Sequence, residues 1–205
     1  MPHHLQLHRR VSARDPDHPG DPRDLRGDRG GALLSQDGLW DEAGPERSGP
    51  AEGPRRLIIR TDGAARGNPG PASLGAVLID STSPGALDPA AVPVASISEW
   101  LGVRTNNVAE YLGVVRALEL AADLGAREVD LLLDSMLIVE QLHGRWKVKD
   151  AKLRPLWEDA RRRLAGFDRW SARHVRRAEN HAADALANEA IDRVAAGGPA
   201  VVVRR

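Results

Sequence analysis

The 205-residue chain has no cysteine, which excludes disulfides, thiolate sites and cysteine-based zinc sites and is compatible with a reducing cytoplasm. Lysine is nearly absent, found only at positions 147, 149 and 152; the rest of the positive charge is arginine. No apolar run approaches the ~20 residues a membrane-spanning helix needs. The N-terminus lacks the apolar core of a secretory leader. A cytoplasmic protein is expected. Net charge is absent too, but the zero hides a split. Residues 1–54 carry 7 Arg and no Lys against 10 Asp/Glu, and residues 55–205 carry 22 Lys/Arg against 19 Asp/Glu. The second part is therefore mildly basic, which permits nucleic acid as a partner without arguing for it.

Residues 1–54 hold 7 of the 14 prolines and 8 of the 20 glycines, and only Leu33-Leu34 and Leu39-Trp40 interrupt their polarity. Such a stretch cannot bury enough apolar area to offset its ordering entropy, so a disordered extension is expected there. His3, His4 and His8 read as stray surface histidines rather than a metal site. One domain is expected over 55–195, followed by a tail over 196–205.

Residues 56–75, RLIIRTDGAARGNPGPASLG, organise the domain. An apolar run, Leu57-Ile58-Ile59, leads to Asp62 where a buried strand would end. Gly63, Gly67, Asn68-Pro69-Gly70 and Pro71 then form a cluster of turn residues, and a second apolar run follows from Leu74 to Ile79. This reads as a hairpin of strands at about 56–62 and 74–80. A third strand is expected at about 92–101 and a fourth from Glu128 to Leu133, ending at Asp134. A fifth is expected from Trp170 to Val175. Helical spacing places helices after Thr105-Asn106-Asn107, at about 135–143, from Pro155 to about Leu164, and after Asn180, which is expected to cap the last one. Three hairpin strands followed by helices alternating with strands describe a mixed α/β sheet with helices on both faces. The fourth strand is expected parallel to the first, reached by a right-handed crossover. Asp62 and Asp134 would then occupy neighbouring strand ends, where open α/β sheets place their ligands.

Glu110 falls within the first two turns of the crossover helix, and Asp184 one turn after Asn180. Singly, a helical Glu is usually solvated and a first-turn Asp usually complements the helix dipole. Four carboxylates on one site, however, cannot all ionise without cations between them. Two divalent ions ~3.5–4 Å apart would meet that need, and hard carboxylate oxygens suit Mg²⁺ or Mn²⁺.

Four blocks of sequence carry a family resemblance. They are Thr61-Asp62-Gly63 with Gly67-Asn68-Pro69-Gly70-Pro71 and Gly75-Ala76; Thr105-Asn106-Asn107-x-Ala-Glu110-Tyr111; Leu133-Asp134-Ser135; and Asn180-x-x-Ala-Asp184-x-Leu-Ala-Asn. In this order and spacing, over about 55–192, the chain resembles type 1 ribonuclease H, closest to the compact branch of actinobacteria and archaea. The resemblance implies the ribonuclease H fold, with a five-stranded mixed sheet. It implies Asp62, Glu110, Asp134 and Asp184 as the catalytic, metal-binding set, and Mg²⁺-dependent cutting of the RNA strand of RNA–DNA hybrids. It also places Asn68, Asn106 and Asn107 against RNA 2′-hydroxyls and bases, and Thr105 at a DNA phosphate. The alternative for Thr105 and Asn106 is helix capping. Backbone N–H groups from Ala64 to Asn68, unobstructed at Gly67, are expected to approach a phosphodiester. Some actinobacterial members continue into a phosphatase-like domain, for which no room is expected after residue 205. A monomer without a small-molecule cofactor is expected.

Residues 143–163 carry eight Lys/Arg, with Trp146 beside Lys147 and Lys149. This is a candidate DNA-strand groove; a solvated helix face plus a core tryptophan is the alternative. Two features depart from the family. Many members have a histidine in a mobile loop before the last aspartate, whereas here only Arg176-Arg177-Ala178-Glu179 joins the fifth strand to the last helix. His174 falls in the strand and His181 in the helix, so Arg177 is the candidate to take over as a catalytic group. Met136 stands where a polar residue often follows the Asp-Ser pair. The competing reading from another class is a non-catalytic nucleic-acid-binding module on the same fold. A related nuclease is a further alternative.

Overall fold

A computed structural model describes residues 55–205; the extension expected over 1–54 lies outside them. The described residues form a six-stranded sheet in the order β5-β4-β1-β2-β3-β6. The strands are β1 (Arg56–Ala65), β2 (Gly70–Asp80), β3 (Ala95–Arg104), β4 (Glu128–Leu133), β5 (Arg169–His174) and β6 (Val201–Arg204). The helices are α1 (Asn106–Asp123), α2 (Met136–Leu142), α3 (Arg154–Leu164) and α4 (His181–Ala195), and a 3₁₀ turn, Arg177–Glu179, leads into α4. β1, β2 and β3 are antiparallel neighbours, while β4 pairs parallel to β1 and β5 parallel to β4. No helix of the described residues is long and apolar enough to cross a membrane.

Alternation along β1 divides the core in two. Leu57 and Ile59 join Leu74, Leu78, Leu131 and the buried faces of α1, α2 and α3. Ile58 joins Val77, Ile79, Leu132 and, from α4, Leu186. Helices thus cover both faces, as the sequence predicts. α3 begins at the expected proline, which occupies its first turn, where a missing N–H costs no hydrogen bond. α4 is held on the sheet by two buried hydroxyls: Ser73 Oγ donates to the Ala187 carbonyl at 2.5 Å and Ser98 Oγ to that of Leu186 at 2.8 Å.

Two expectations are corrected. β1 does not end at Asp62. Its parallel ladder with β4 stops at Thr61↔Leu133, but the antiparallel ladder with β2 continues through Gly63↔Leu74, Ala64↔Ser73 and Ala65↔Ala72. Small residues keep the pairing without the apolar run that would advertise it. The turn shrinks to its tip, closed by Arg66 N–H donating to the Pro71 carbonyl at 2.8 Å. The stretch expected as a tail supplies a sixth strand: β6 pairs antiparallel with β3, from Ser96↔Arg204 to Glu99↔Val201. Arg193 of α4 holds the approach to it, donating to the carbonyls of Pro199 and Ser98, both at 2.8 Å.

Candidate active site

Because the β1–β4 ladder ends at Thr61↔Leu133, the next residues on each side are Asp62 and Asp134. Two glycines bring the helices to them. A Cβ on Gly63 would collide with the backbone nitrogen of Glu110, so the start of α1 lies directly on β1. A Cβ on Gly75, which pairs with Asp62, would collide with the Ala183 carbonyl, so α4 lies equally close to β2 with Asp184 one residue further on. The result is a cleft of about 430 Å³ whose lining includes Asp62, Glu110, Asp134, Asn106, Arg177 and Asn188.

Three of the four carboxylates are oriented by neighbours. Glu110 accepts from Asn106 Nδ2 and from Ser135 Oγ, both at 2.8 Å. Asp134 accepts from Asn180 Nδ2 at 2.9 Å. Asp184 accepts from an Arg177 guanidinium nitrogen at 2.6 Å and from Asn188 Nδ2 at 3.2 Å. Burial, followed by the charges of Asp134 and Asp184, pushes the Asp62 carboxyl up to about 7, against a smaller opposing pull from Arg177. Burial also raises Glu110, opposed by the Ser135 hydrogen bond. The cluster is short of positive charge.

Among the described residues, no three histidine or acidic side chains converge as they stand on a point that could hold a metal. The oxygens of Glu110, Asp134 and Asp184 are turned instead to Arg177, Ser135 and the three amides. The chemistry of the donors nonetheless fits a hard divalent cation. All four are carboxylates, and one of them, Asp62, is held well above the usual carboxylate range by burial and then by the like charges of Asp134 and Asp184.

The remaining sequence-predicted residues divide. Gly67, at φ +105°, sits with Asn68 at the exposed tip of the β1–β2 turn. Asn68 Oδ1 accepts from the Asn106 backbone N–H at 3.2 Å, which ties that tip to the start of α1. The expected row of free N–H groups from Ala64 to Asn68 is shorter than predicted. Ala64 and Ala65 belong to the β ladder and Arg66 N–H is used within the turn. Thr105 stands at the N-cap position of α1 without a side-chain capping bond, and Asn106 serves Glu110 rather than the helix end. Asn107 is exposed. Trp146 is 50% exposed on the segment between α2 and α3, with Lys147 and Lys149 exposed beside it, so the core-tryptophan alternative does not hold. Several arginines of the basic run are engaged locally: Arg145 pairs with Glu140, Arg162 and Arg163 with Asp159, and Arg161 donates to the Leu142 carbonyl. His174 ends β5, with Nε2 3.2 Å from the Asp134 carbonyl oxygen, and Met136 is exposed at the start of α2.

Three site residues are not recognisable from the sequence as functional groups: Ser135, Asn180 and Asn188. All three stand inside the motif blocks, which is the one signal that points to them. The sequence assigns Asn180 to helix capping. It does occupy the N-cap position of α4, yet its buried amide makes no cap bond and spans Thr61 and Asp134 instead.

A mixed sheet with two central aspartates at the edge of its parallel ladder, flanked by acidic residues from a helix on each face, defines a ribonuclease H-like nuclease architecture. A family model described as reverse transcriptase-like matches residues 60–190. Ribonuclease HI of Halobacterium salinarum is 45% identical over 148 residues, 72% of this chain and 67% of the relative. The bifunctional protein Rv2228c of Mycobacterium tuberculosis is 42% identical over 140 residues, 68% of this chain; the match spans only 36% of that longer protein. The crystal structure of LC11-RNase H1 in complex with an RNA/DNA hybrid is 37% identical, with a TM-score of 0.61, covering 68% of this chain and 99% of that one. The chain belongs to the type 1 ribonuclease H family.

Proposed function

We infer that the protein is an endoribonuclease that hydrolyses the RNA strand of RNA–DNA hybrids, leaving a 3′-hydroxyl and a 5′-phosphate. The observation that carries this reading is the gathering of Asp62, Glu110 and Asp134 on one cleft at the end of the β1–β4 ladder, with Asp184 close enough to act on Asp62. A protein that only bound nucleic acid would gain nothing from clustering negative charge where a phosphodiester must approach. Membership of a family whose solved structures include a hybrid complex supports the choice of substrate.

Asp62, Glu110, Asp134 and Asp184 would hold two divalent cations, Mg²⁺ or Mn²⁺, which when bound activate a water and stabilise the leaving oxygen. Asn106 and Ser135 hold Glu110, Asn180 holds Asp134 and Asn188 holds Asp184 in place. With Asn68 Oδ1 engaged by Asn106 N–H, the Nδ2 of Asn68 is the group that can donate to a 2′-hydroxyl, and exposed Asn107 can both donate and accept. Arg177, 77% exposed and joined to Asp184, can grip phosphate oxygens through two parallel hydrogen bonds once Asp184 is engaged elsewhere. It would act on the departing product. Trp146, Lys147 and Lys149 extend the contact to the DNA strand, with Thr105 at one of its phosphates. A labelled hybrid incubated with Mg²⁺ should be cut, EDTA should abolish the cutting, and duplex DNA should remain intact. Equal cutting of duplex DNA would make the protein a general nuclease, and no cutting of the hybrid would leave a binding module.

A further inference from the structure

Arg60 lies two residues before Asp62 on β1 and is 2% exposed. The buried guanidinium meets backbone rather than a carboxylate: one terminal nitrogen donates to the Glu179 carbonyl and the other to the Leu87 carbonyl, each at 2.7 Å, while Nε has no partner. The carboxylates of Glu179 and Asp88 act on it only through space, and Arg173 opposes them. A buried cation so poorly compensated is expensive, and an apolar side chain of similar length would ordinarily serve the core better.

What the guanidinium holds is the connector between β5 and α4. Residues 176–179 are all exposed, so packing of their own side chains does little to restrain them. The next residue, Asn180, is buried and donates to the Thr61 carbonyl at 2.8 Å. Two consecutive residues of β1, Arg60 and Thr61, therefore grip two consecutive residues of the connector, Glu179 and Asn180. The turn between these grips and β5 carries Arg177. Inside it, Glu179 N–H donates to the Arg176 carbonyl at 2.8 Å and Asn180 N–H to that of Arg177 at 2.9 Å. The Glu179 carboxylate accepts from Arg176 N–H at 2.9 Å.

We propose that Arg60 is a positioning residue, holding the Arg177–Glu179 turn from beneath so that Arg177 and Asn180 meet the carboxylate cluster. Its kinetic part rests on the nuclease reading above; its structural part does not. The test is Arg60→Met in the full chain, which preserves length and removes charge and donors. The melting temperature should stay level or rise, because an uncompensated buried charge is removed. Amide hydrogen exchange at Glu179 and Asn180 should accelerate. On an RNA–DNA hybrid kcat should fall about tenfold with KM within about twofold, as expected when a catalytic group is misplaced rather than removed. Arg177→Ala should then cost much less in the Arg60→Met background than in the wild type, since the group it removes is already out of place. Unchanged exchange and unchanged kcat would overturn the proposal, as would a full, additive effect of Arg177→Ala. If Arg60→Met folds poorly, Arg60→Gln, too short to span both carbonyls, carries the same expectations. A wild-type protein that leaves the hybrid uncut would sink the nuclease reading alone, with the exchange measurement still deciding the role of Arg60.

Discussion

The Asn180 amide joins two strands at the point where they part. It donates to the Thr61 carbonyl on β1 at 2.8 Å and to the Asp134 carboxylate just beyond β4 at 2.9 Å. Asn180→Asp would replace that donor with a further carboxylate and leave two acceptors without a partner. Stranding the buried Thr61 carbonyl costs about 1–3 kcal/mol, and the half-buried Asp134 carboxylate less. Hybrid cleavage should fall at least tenfold, and thermal unfolding should show a clear drop in stability. A variant as stable and active as the wild type would mean that the amide aims nothing.

Replacing the clustered carboxylates should separate activity from stability. Asp62→Asn, Glu110→Gln, Asp134→Asn and Asp184→Asn should each lower hybrid cleavage by orders of magnitude while leaving the fold intact. Asp62→Asn should also raise the melting temperature of the metal-free protein, because it removes a buried charge and relieves repulsion from Asp134 and Asp184. Near-wild-type cleavage by Asp62→Asn or Asp134→Asn would be incompatible with the proposed chemistry.

Burial of Asp62, reinforced by the same crowding, sets a pH dependence. The Asp62 carboxyl moves from 3.8 to about 7 on folding, so the folded state binds its proton more tightly than the unfolded chain does. Its contribution is complete below 3.8 and is lost as pH rises through about 7. Glu110 is shifted in the same direction. In EDTA, Asp62 should therefore make stability decline across that window, and Asp62→Asn should flatten the decline. Denaturant titrations at a series of pH values measure it directly; identical slopes in wild type and variant would refute the assignment.

Arg177→Ala should lower turnover by about ten- to a hundred-fold, roughly 1.4–2.7 kcal/mol, with little change in folding stability. Its pairing with Asp184 is too exposed to contribute much to the fold. Arg176 is also exposed but does not line the cleft, and Arg176→Ala should do much less. Steady-state kinetics of the two variants decide the matter, and small, equal effects would remove Arg177 from the reaction.

Lys147→Ala with Lys149→Ala should weaken hybrid binding and flatten its salt dependence, by about 0.7–0.9 in the log–log slope for each phosphate no longer neutralised. Trp146→Ala should weaken binding by about 1–3 kcal/mol if a base stacks on the ring. Affinities measured over a range of salt concentrations provide the check. An unaltered slope would show that this segment lies off the path of the nucleic acid.

Features encoded by neighbours in the chain are legible in the linear sequence. Leu57-Ile58-Ile59 and Leu131-Leu132-Leu133 read as buried strands, and Pro155 marks the start of α3. The order of elements is enough to expect β4 beside β1, and hence Asp134 beside Asp62. The full length of β1 is less legible, because Gly63, Ala64 and Ala65 look like loop until β2 supplies their partners. β6 is hidden for a similar reason, its short valine run following Gly197, Gly198 and Pro199 and becoming a strand only where β3 leaves an edge to pair with.

The sequence by itself determined the type of sheet and the placing of Asp62 and Asp134 at neighbouring strand ends, since hydrophobic period and turn chemistry act over a few residues. Glu110 and Asp184 joined them only through the motif blocks of the family resemblance. Only the tertiary structure decided how those carboxylates are held. Arg60 reaches the Glu179 carbonyl and Asn180 reaches that of Thr61, each across 119 residues of chain. No local pattern distinguishes an arginine that will be buried from one that will be solvated, or an asparagine that caps its helix from one that aims a carboxylate. The choice depends on which unsatisfied groups the folded chain places opposite each side chain once water is excluded.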